Sequence, residues 1–232
     1  MALFVSLVIP AYNEESNLET CVKEAVKALD ALGEGYEIII AEDGSRDSTL
    51  EIAEKLASKN KRIRILHSGK RLGRGESLKR AIRSARGRIV AYIDSDLATS
   101  LKHLKPLLEG VENGAAISTG SRLLPQSTTT RSQTRDIASK GYNLLVRLLL
   151  RSRLSDHQCG FKAFNRKKII PLLEEVKDNH WFWDTEMLVR AQRKKLSVYE
   201  FPVEWRESSD SKVNLLKDVL DMGSKVVLLA FS

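Results

Sequence analysis

The chain reads as an α/β protein, a mostly parallel central sheet with helices on both faces. Three observations predict this. Short apolar runs rich in β-branched residues alternate with stretches of helical apolar spacing through the first half. Three of the predicted strands end in polar, turn-forming strings. The length of 232 residues, with 42% hydrophobic and 29% charged residues, suits one large domain with a sizeable core.

The elements follow in order. Leu3 to Ile9 is an apolar run stopped by Pro10, and Glu14 to Leu32 carries helical spacing through Leu18, Val22, Ala25 and Leu29 before Gly33. On that face Cys21 is expected to pack in the core. Tyr36 to Ala41 is a second strand, Ser48 to Ser58 a helix and Ile63 to Leu66 a short third strand. Gly75 to Ala85 is a helix closed by Gly87. Ile89 to Ile93 is the fourth strand, Leu101 to Glu112 a helix and Ala115 to Thr119 a fifth strand.

After Arg122 the pattern changes. Leu123 to Gln133, with Pro125 and three consecutive threonines, is expected to be a mobile loop. Ile137 to Leu150 is a helix with an apolar centre and basic ends. Phe161 to Phe164 and Val198 to Trp205 are strand candidates flanking a helix at Thr185 to Lys195. Val213 to Phe231 is a last amphipathic helix. No apolar stretch approaches the roughly 18 residues that cross a bilayer, and Met1 to Pro10 lacks the basic start and cleavage site of a signal peptide. Cys21 and Cys159 form no CxxC and are expected to be free thiols.

The net charge of +8 is segregated: Lys59 to Arg88 and Arg122 to Arg153 are strongly basic, and the remainder is net acidic. Such a pattern favours an anionic partner, whether phosphates, nucleic acid or an anionic membrane surface. A nucleic-acid-binding role is disfavoured, because aromatics are only 6% and do not interleave with the basic runs.

In doubly wound sheets ligands bind at the carboxyl ends of the strands. Here those ends are Pro10-Ala11-Tyr12-Asn13-Glu14, Glu42-Asp43-Gly44-Ser45 and Asp94-Ser95-Asp96. Two carboxylates one residue apart at the mouth of a buried strand are costly unless neutralised. A hard divalent cation shared with a diphosphate would neutralise them; a strand end followed by an Asp cap is the simpler alternative. Lys70-Arg71-Leu72-Gly73-Arg74-Gly75 precedes a helix, a setting in which backbone amides approach phosphates. His67, His103, His157 and His180 have no nucleophile pattern around them.

VIPAYNE at the first strand end, EDGS at the second and LGRG before the DSD strand together resemble family 2 inverting glycosyltransferases of the glycosyltransferase-A, Rossmann-like fold. Asp156-His157-Gln158-Cys159-Gly160-Phe161-Lys162, Trp181-Phe182-Trp183-Asp184-Thr185-Glu186, Trp205 and Ser211-Lys212-Val213 resemble the dolichyl-phosphate glucosyltransferases, and the layout resembles dolichyl-phosphate mannose synthases as well. The QxxRW motif of processive synthases is absent. Glu42 departs from the family, which commonly has Asp there.

The resemblance implies metal-dependent transfer of a hexose from a nucleotide-diphosphate sugar, UDP-glucose before GDP-mannose, to a polyprenyl (dolichyl) phosphate. A silent nucleotide-sugar-binding module is the alternative that intact Asp94 and Asp96 argue against. Carried over by position, Pro10, Ala11, Tyr12 and Glu14 line the nucleoside pocket and Asp43 reads the base. Asp94 and Ser95 meet the ribose and diphosphate, and Asp96 holds Mg²⁺ or Mn²⁺. Gly73, Arg74 and Lys212 are donor contacts. Asp94, Asp96 and Asp184 are the carboxylates expected to serve catalysis. Of Asp184 and Glu186, two apart on a helix and so on different faces, Asp184 is the one expected to face the site.

For the acceptor phosphate the candidates are Arg122, Arg131 and Arg135, with Ser139 as a hydroxyl donor. An acceptor phosphate is already ionised near neutral pH and needs no general base. One domain over residues 1–232 is expected, with a nucleotide-sugar half at 1–122 and an acceptor half at 123–232. It should sit peripherally on the cytoplasmic face of a membrane, with Ile137 to Leu150 and Val226 to Phe231 on the bilayer.

Overall fold

The computed structural model describes residues 3–207 and 215–231, the stretch 215–220 by backbone only. A seven-stranded sheet is built from β1 (Val5–Ala11), β2 (Tyr36–Glu42), β3 (Ile63–Ile65), β4 (Ile89–Ile93), β5 (Ile117–Ser121), β7 (Phe161–Asn165) and β8 (Val198–Pro202). Its order is β3-β2-β1-β4-β7-β5-β8. β7 runs antiparallel to both of its neighbours, while the remaining pairs are parallel. A two-stranded parallel ribbon joins β6 (Thr128–Thr130) to β9 (Glu204–Arg206).

Strand alternation sorts side chains onto two layers. Leu7, Ile9, Ile38, Ile40, Ala91 and Ile93 face the layer packed by α1 (Leu18–Asp30) and α4 (Leu104–Glu112). Val8, Ile39, Val90, Tyr92 and Phe164 face the other, covered by α3 (Arg74–Ser84), α6 (Arg166–Leu173) and α7 (Trp183–Arg193). Burying each of these larger side chains is worth about 1.5–3 kcal/mol before the entropic cost of folding is set against it. A third cluster joins Tyr142, Val146 and Leu150 of α5 (Gln133–Leu150) to Phe182, Val189 and to Met222, Val226 and Leu229 of α8 (Leu215–Ala230).

The strands and α2 (Thr49–Lys59) fall close to the expected positions, with four corrections. The first helix begins at Leu18, because the amides of Asn17 and Leu18 close a turn on the Glu14 carbonyl while the Glu14 amide donates to Thr49 Oγ1 at 2.7 Å. The stretch expected to be a mobile loop carries β6, held by Ser127 Oγ on the Ser121 carbonyl and by Thr128 N on the Val203 carbonyl. The single strand expected over Val198 to Trp205 divides at Val203 between the main sheet and the ribbon. Helix α6 was not expected at all. Its mixed basic and apolar sequence, with Pro171 inside, gives little periodic signal.

The consequence for the site lies in β7. This strand from the second half inserts between β4 and β5. It sets Lys162 directly across from Tyr92 and Phe161 across from Ile93. The carboxyl ends of β1, β2 and β4 lie on one edge, with Ala11 opposite Glu42 in the ladder. The polar strings that follow them therefore share that edge.

Candidate active site

One cavity of about 330 Å³ opens at this edge. At the strand ends lie Pro10, Ala11, Tyr12, Glu14, Asp43, Asp94, Ser95 and Asp96, with Arg74 of α3. Arg122, Arg131, Arg135, Ser139 and Asp184 line it as well. Of the sequence-derived candidates, Gly73 is not in the lining, and Lys212 is outside the described residues. The cavity also takes Arg71, Gln158, Gly160, Trp181, Trp205 and Met222, none of which the sequence marked as site residues. Trp181 and Trp205 stood in quoted motifs, but nothing local tells a wall tryptophan from a core one.

The side at the ends of β1 and β2 is shaped by hydrogen bonds. Asp43 is buried and accepts from the amides of Leu72 and Gly73 at 2.8 and 2.9 Å, pinning the Arg71–Arg74 loop against β2. Gly44 has φ +70° and lies against the Lys70 backbone, where a Cβ would come within 2.6 Å. Glu42 accepts from Ser45 N at 2.6 Å and pairs with His67, so the longer acid acts as a brace for the turn. The first amides of α3 do not point at the cavity: Gly75 and Glu76 donate to the Asn179 carbonyl. Arg71 stacks 4.0 Å over the Tyr12 ring, a cation–π contact.

The carboxylate side is held from behind. Gly160 approaches Asp94 so closely that a Cβ would lie 1.7 Å from Asp94 Oδ2. Asp94 Oδ1 accepts from Arg74 Nη2 at 2.9 Å, and Arg74 Nη1 reaches Asp184 Oδ2 at 2.6 Å. Leu97, just past the pair, sits at φ 52°. A left-handed leucine stores strain, of the kind that collects at functional turns. Asp96 is pushed up to about 6, first by burial and then by the Asp94 charge, with Glu14 adding to it. Asp184 stays below the ordinary carboxylate range although burial opposes ionisation, because Lys162, Arg74 and the Tyr92 hydroxyl favour its charged form.

These donors suit a hard divalent ion. Asp96 is an oxygen ligand whose charge is disfavoured in its surroundings, and an adjacent cation would relieve that. Among the described residues no group of three or more His, Cys, Asp or Glu can hold an ion. An ion here would thus take one or two carboxylates and fill its shell from a ligand, the usual habit of Mg²⁺.

The arginines across the cavity are each engaged by a carboxylate. Arg122 places Nε and Nη2 on buried Asp156 at 2.6 and 2.8 Å, with its amide on the same Oδ2. Burial alone would raise Asp156, but these contacts hold it far below its usual range. Arg131 pairs with Asp136 at 2.6 Å and Arg135 with Glu207 at 2.6 Å. Those two carboxylates are partly exposed. Among the described residues, Ser139 Oγ is buried at the cavity with no hydrogen-bond partner. Glu186 turns away, capping the Lys177 and Asp178 amides and pairing with Arg190, so of the two acids Asp184 is the one that lines the cavity.

The chain is 50% identical over 226 residues to glycosyltransferase AglD of Haloferax volcanii, covering 96% of this chain and 36% of that protein. It is 32% and 31% identical to dolichyl-phosphate beta-glucosyltransferases of Drosophila melanogaster and Homo sapiens, covering 98% and 97% of this chain and 74% of each. The chain thus spans about a third of the first relative and about three quarters of the others. Glucosyl-3-phosphoglycerate synthase from Mycobacterium tuberculosis, solved with Mn²⁺, uridine diphosphate and phosphoglyceric acid, superposes with a TM-score of 0.70 at 20% identity, over 99% of this chain and 77% of that one. The sheet and its helices therefore have the glycosyltransferase-A fold. A model of the glycosyl transferase family 2 matches residues 6–173, from β1 to the end of α6, and the chain belongs to that family.

Proposed function

We propose that this domain transfers glucose from UDP-glucose to a polyprenyl phosphate at a membrane surface. One observation carries the reading. A single cavity is lined both by the carboxylates Glu14, Asp43, Asp94 and Asp96 and by Arg122, Arg131 and Arg135. Two anionic substrates, a nucleoside diphosphate and a phosphate acceptor, suit such a site. The relatives named for dolichyl-phosphate glucosylation support the choice of sugar and acceptor.

In this reading Tyr12 and Arg71 flank the base, Asp43 accepts from it with its remaining lone pairs, and Lys212 belongs to the donor side. Asp94 and Ser95 receive the ribose and diphosphate, with Arg74 beside them. Asp96 would hold Mg²⁺ or Mn²⁺, which when bound neutralises charge on the departing diphosphate. Arg131 and Arg135 exchange their partly exposed carboxylates for the acceptor phosphate. Arg122 stays braced by Asp156, and Ser139 offers a hydroxyl. Binding both substrates in one cavity supplies proximity, and the arginines supply fixed positive charge.

The membrane reading rests on α5 and α8. Their inner faces form the third cluster, while Ile137, Leu144 and Leu148 of α5 and Leu228 of α8 point outward, as does Phe231 just beyond it. Exposed Arg147 and Arg151 stand nearby. Helices apolar outward and rimmed by basic residues lie in the interfacial plane of a bilayer. Among the described residues no helix is long and apolar enough to cross one. We place the domain peripherally, on the cytoplasmic face.

A donor panel tests the proposal. UDP-glucose, UDP-N-acetylglucosamine and GDP-mannose are each offered with a short polyprenyl phosphate and Mg²⁺ or Mn²⁺. Fastest transfer from UDP-glucose is expected. Fastest transfer from GDP-mannose would replace the sugar assignment, and no transfer from any donor would sink the acceptor assignment.

A further inference from the structure

Lys162 and Tyr92 are both fully buried, and the antiparallel β4–β7 ladder sets them directly opposite each other. They leave the same face of the sheet side by side, beneath the first turn of α7. A buried ammonium costs several kcal/mol unless it is paired. The Lys162 ammonium reaches Asp184 Oδ1 at 3.2 Å and also donates to the Cys159 carbonyl. The Tyr92 hydroxyl donates to the same Oδ1, and Arg74 Nη1 meets Oδ2 at 2.6 Å.

Asp184 is thus approached by three donors from three elements: α3, β4 and β7. The other titratable groups nearby are Tyr142 of α5, which bonds Thr185, and Asp94 beyond Arg74. A general base needs an open lone pair aimed at the incoming proton and a pKa near the working pH. Asp184 suits neither requirement well: three donors occupy most of its roughly four lone-pair sites, and Lys162, Arg74 and the Tyr92 hydroxyl hold its carboxyl below the ordinary range.

We propose that Lys162 and Tyr92 are positioning residues that hold Asp184 as a fixed, ionised anchor for Arg74, so that Asp184 aims this arginine at the donor diphosphate and does not accept a proton from the acceptor. The proposal rests on the transferase reading above and sharpens its acceptor class. The attacking oxygen must arrive ionised. Its lone pair forms the new bond to the anomeric carbon, the bond from that carbon to the diphosphate breaks, and the electron pair leaves on the nucleoside diphosphate. No proton moves. A phosphate monoester meets this requirement, and an alcohol does not.

Two readouts on the full chain test it. The first is the infrared carboxyl spectrum of wild type minus Asp184→Asn between pH 5 and 9, repeated with Lys162→Met in the background. Asp184 is expected to stay ionised throughout in wild type and to protonate within this range once Lys162 is replaced. The second is the pH dependence of hexose transfer to polyprenyl phosphate. Lys162→Met should lower kcat by about 10-fold or more, change the donor KM by less than about threefold, and add an acid-side ionisation that wild type lacks. Tyr92→Phe, which removes one donor without removing the ring, should act in the same direction more weakly, and it stands in if Lys162→Met does not fold. A protonated Asp184 near neutral pH in wild type would overturn the proposal, as would unchanged spectra and kcat in both variants. If the spectra behave as expected while no lipid phosphate is glycosylated, the anchor is supported and the transferase reading alone fails.

Discussion

Asp96 stands where stability and function pull apart. Its folded value of about 6 lies above the usual 3.8, so the folded protein binds the proton more tightly than the unfolded chain does. The charged form is therefore destabilising above pH 6, and the penalty fades as pH falls from 6 towards 3.8. Asp96→Asn should stabilise the protein without added metal by about 1–2 kcal/mol at pH 7.5, seen as a higher denaturant midpoint. The same change should cut metal-dependent transfer by about 100-fold or more. Gly160→Ala makes the complementary test of Asp94. A Cβ 1.7 Å from Oδ2 must push the carboxylate aside, and a displacement near 1 Å costs about 100-fold in rate. At this scale the sequence marked Tyr12, Asp43, Asp94 and Asp96 because strand ends are local features. It marked neither Gly160 nor Tyr92, whose importance lies in what crosses over from another strand.

Among the elements, β7 and the α5–α8 pair decide most. β7 was visible as a strand, but its antiparallel place between β4 and β5 was not, since β-branched and aromatic content carries no information on neighbours. That placement brings Lys162 to Asp184, which is why the positioning role lay beyond reach of spacing arguments. The helix at 137–150 reads from sequence as apolar at its centre with basic ends, and its second half is apolar on two sides: Val146 and Leu150 pack inward while Leu144 and Leu148 point outward. Leu148→Glu combined with Leu228→Glu should lower partition onto anionic phospholipid vesicles by about 100-fold, given roughly 1.5 kcal/mol or more for each buried apolar side chain. Both residues are about 70% exposed, so the thermal midpoint should hold. Unchanged sedimentation with vesicles would remove these faces from the membrane contact.

For the whole molecule, the three polar strand ends meet Arg71, Arg74, Arg122, Arg131 and Arg135 of the two basic stretches in one cavity. Acid stability reports on how that cavity wall is fixed. Burial lowers His157 from 6.5 to about 4, where it links Ser152 and Asn143 at 2.7 and 2.8 Å. Its depressed value means the unfolded chain takes the proton first. The stability it confers is complete above pH 6.5 and is lost as pH falls to 4, by up to about 3 kcal/mol. His157→Gln should flatten the denaturant midpoint across that range relative to wild type, and an unaltered slope would assign the acid loss elsewhere. The basic stretches favour an anionic partner but give no sign that carboxylates already hold Arg74, Arg122, Arg131 and Arg135; such pairings join residues as far apart as Arg74 and Asp184. The central claim, that a phosphate oxygen is the nucleophile, meets its most direct test in one comparison: glucose transfer from labelled UDP-glucose to a polyprenyl phosphate and to the polyprenol of the same length. Label is expected in the lipid phosphate alone. Equal labelling of the alcohol, or labelling of neither, would contradict the account.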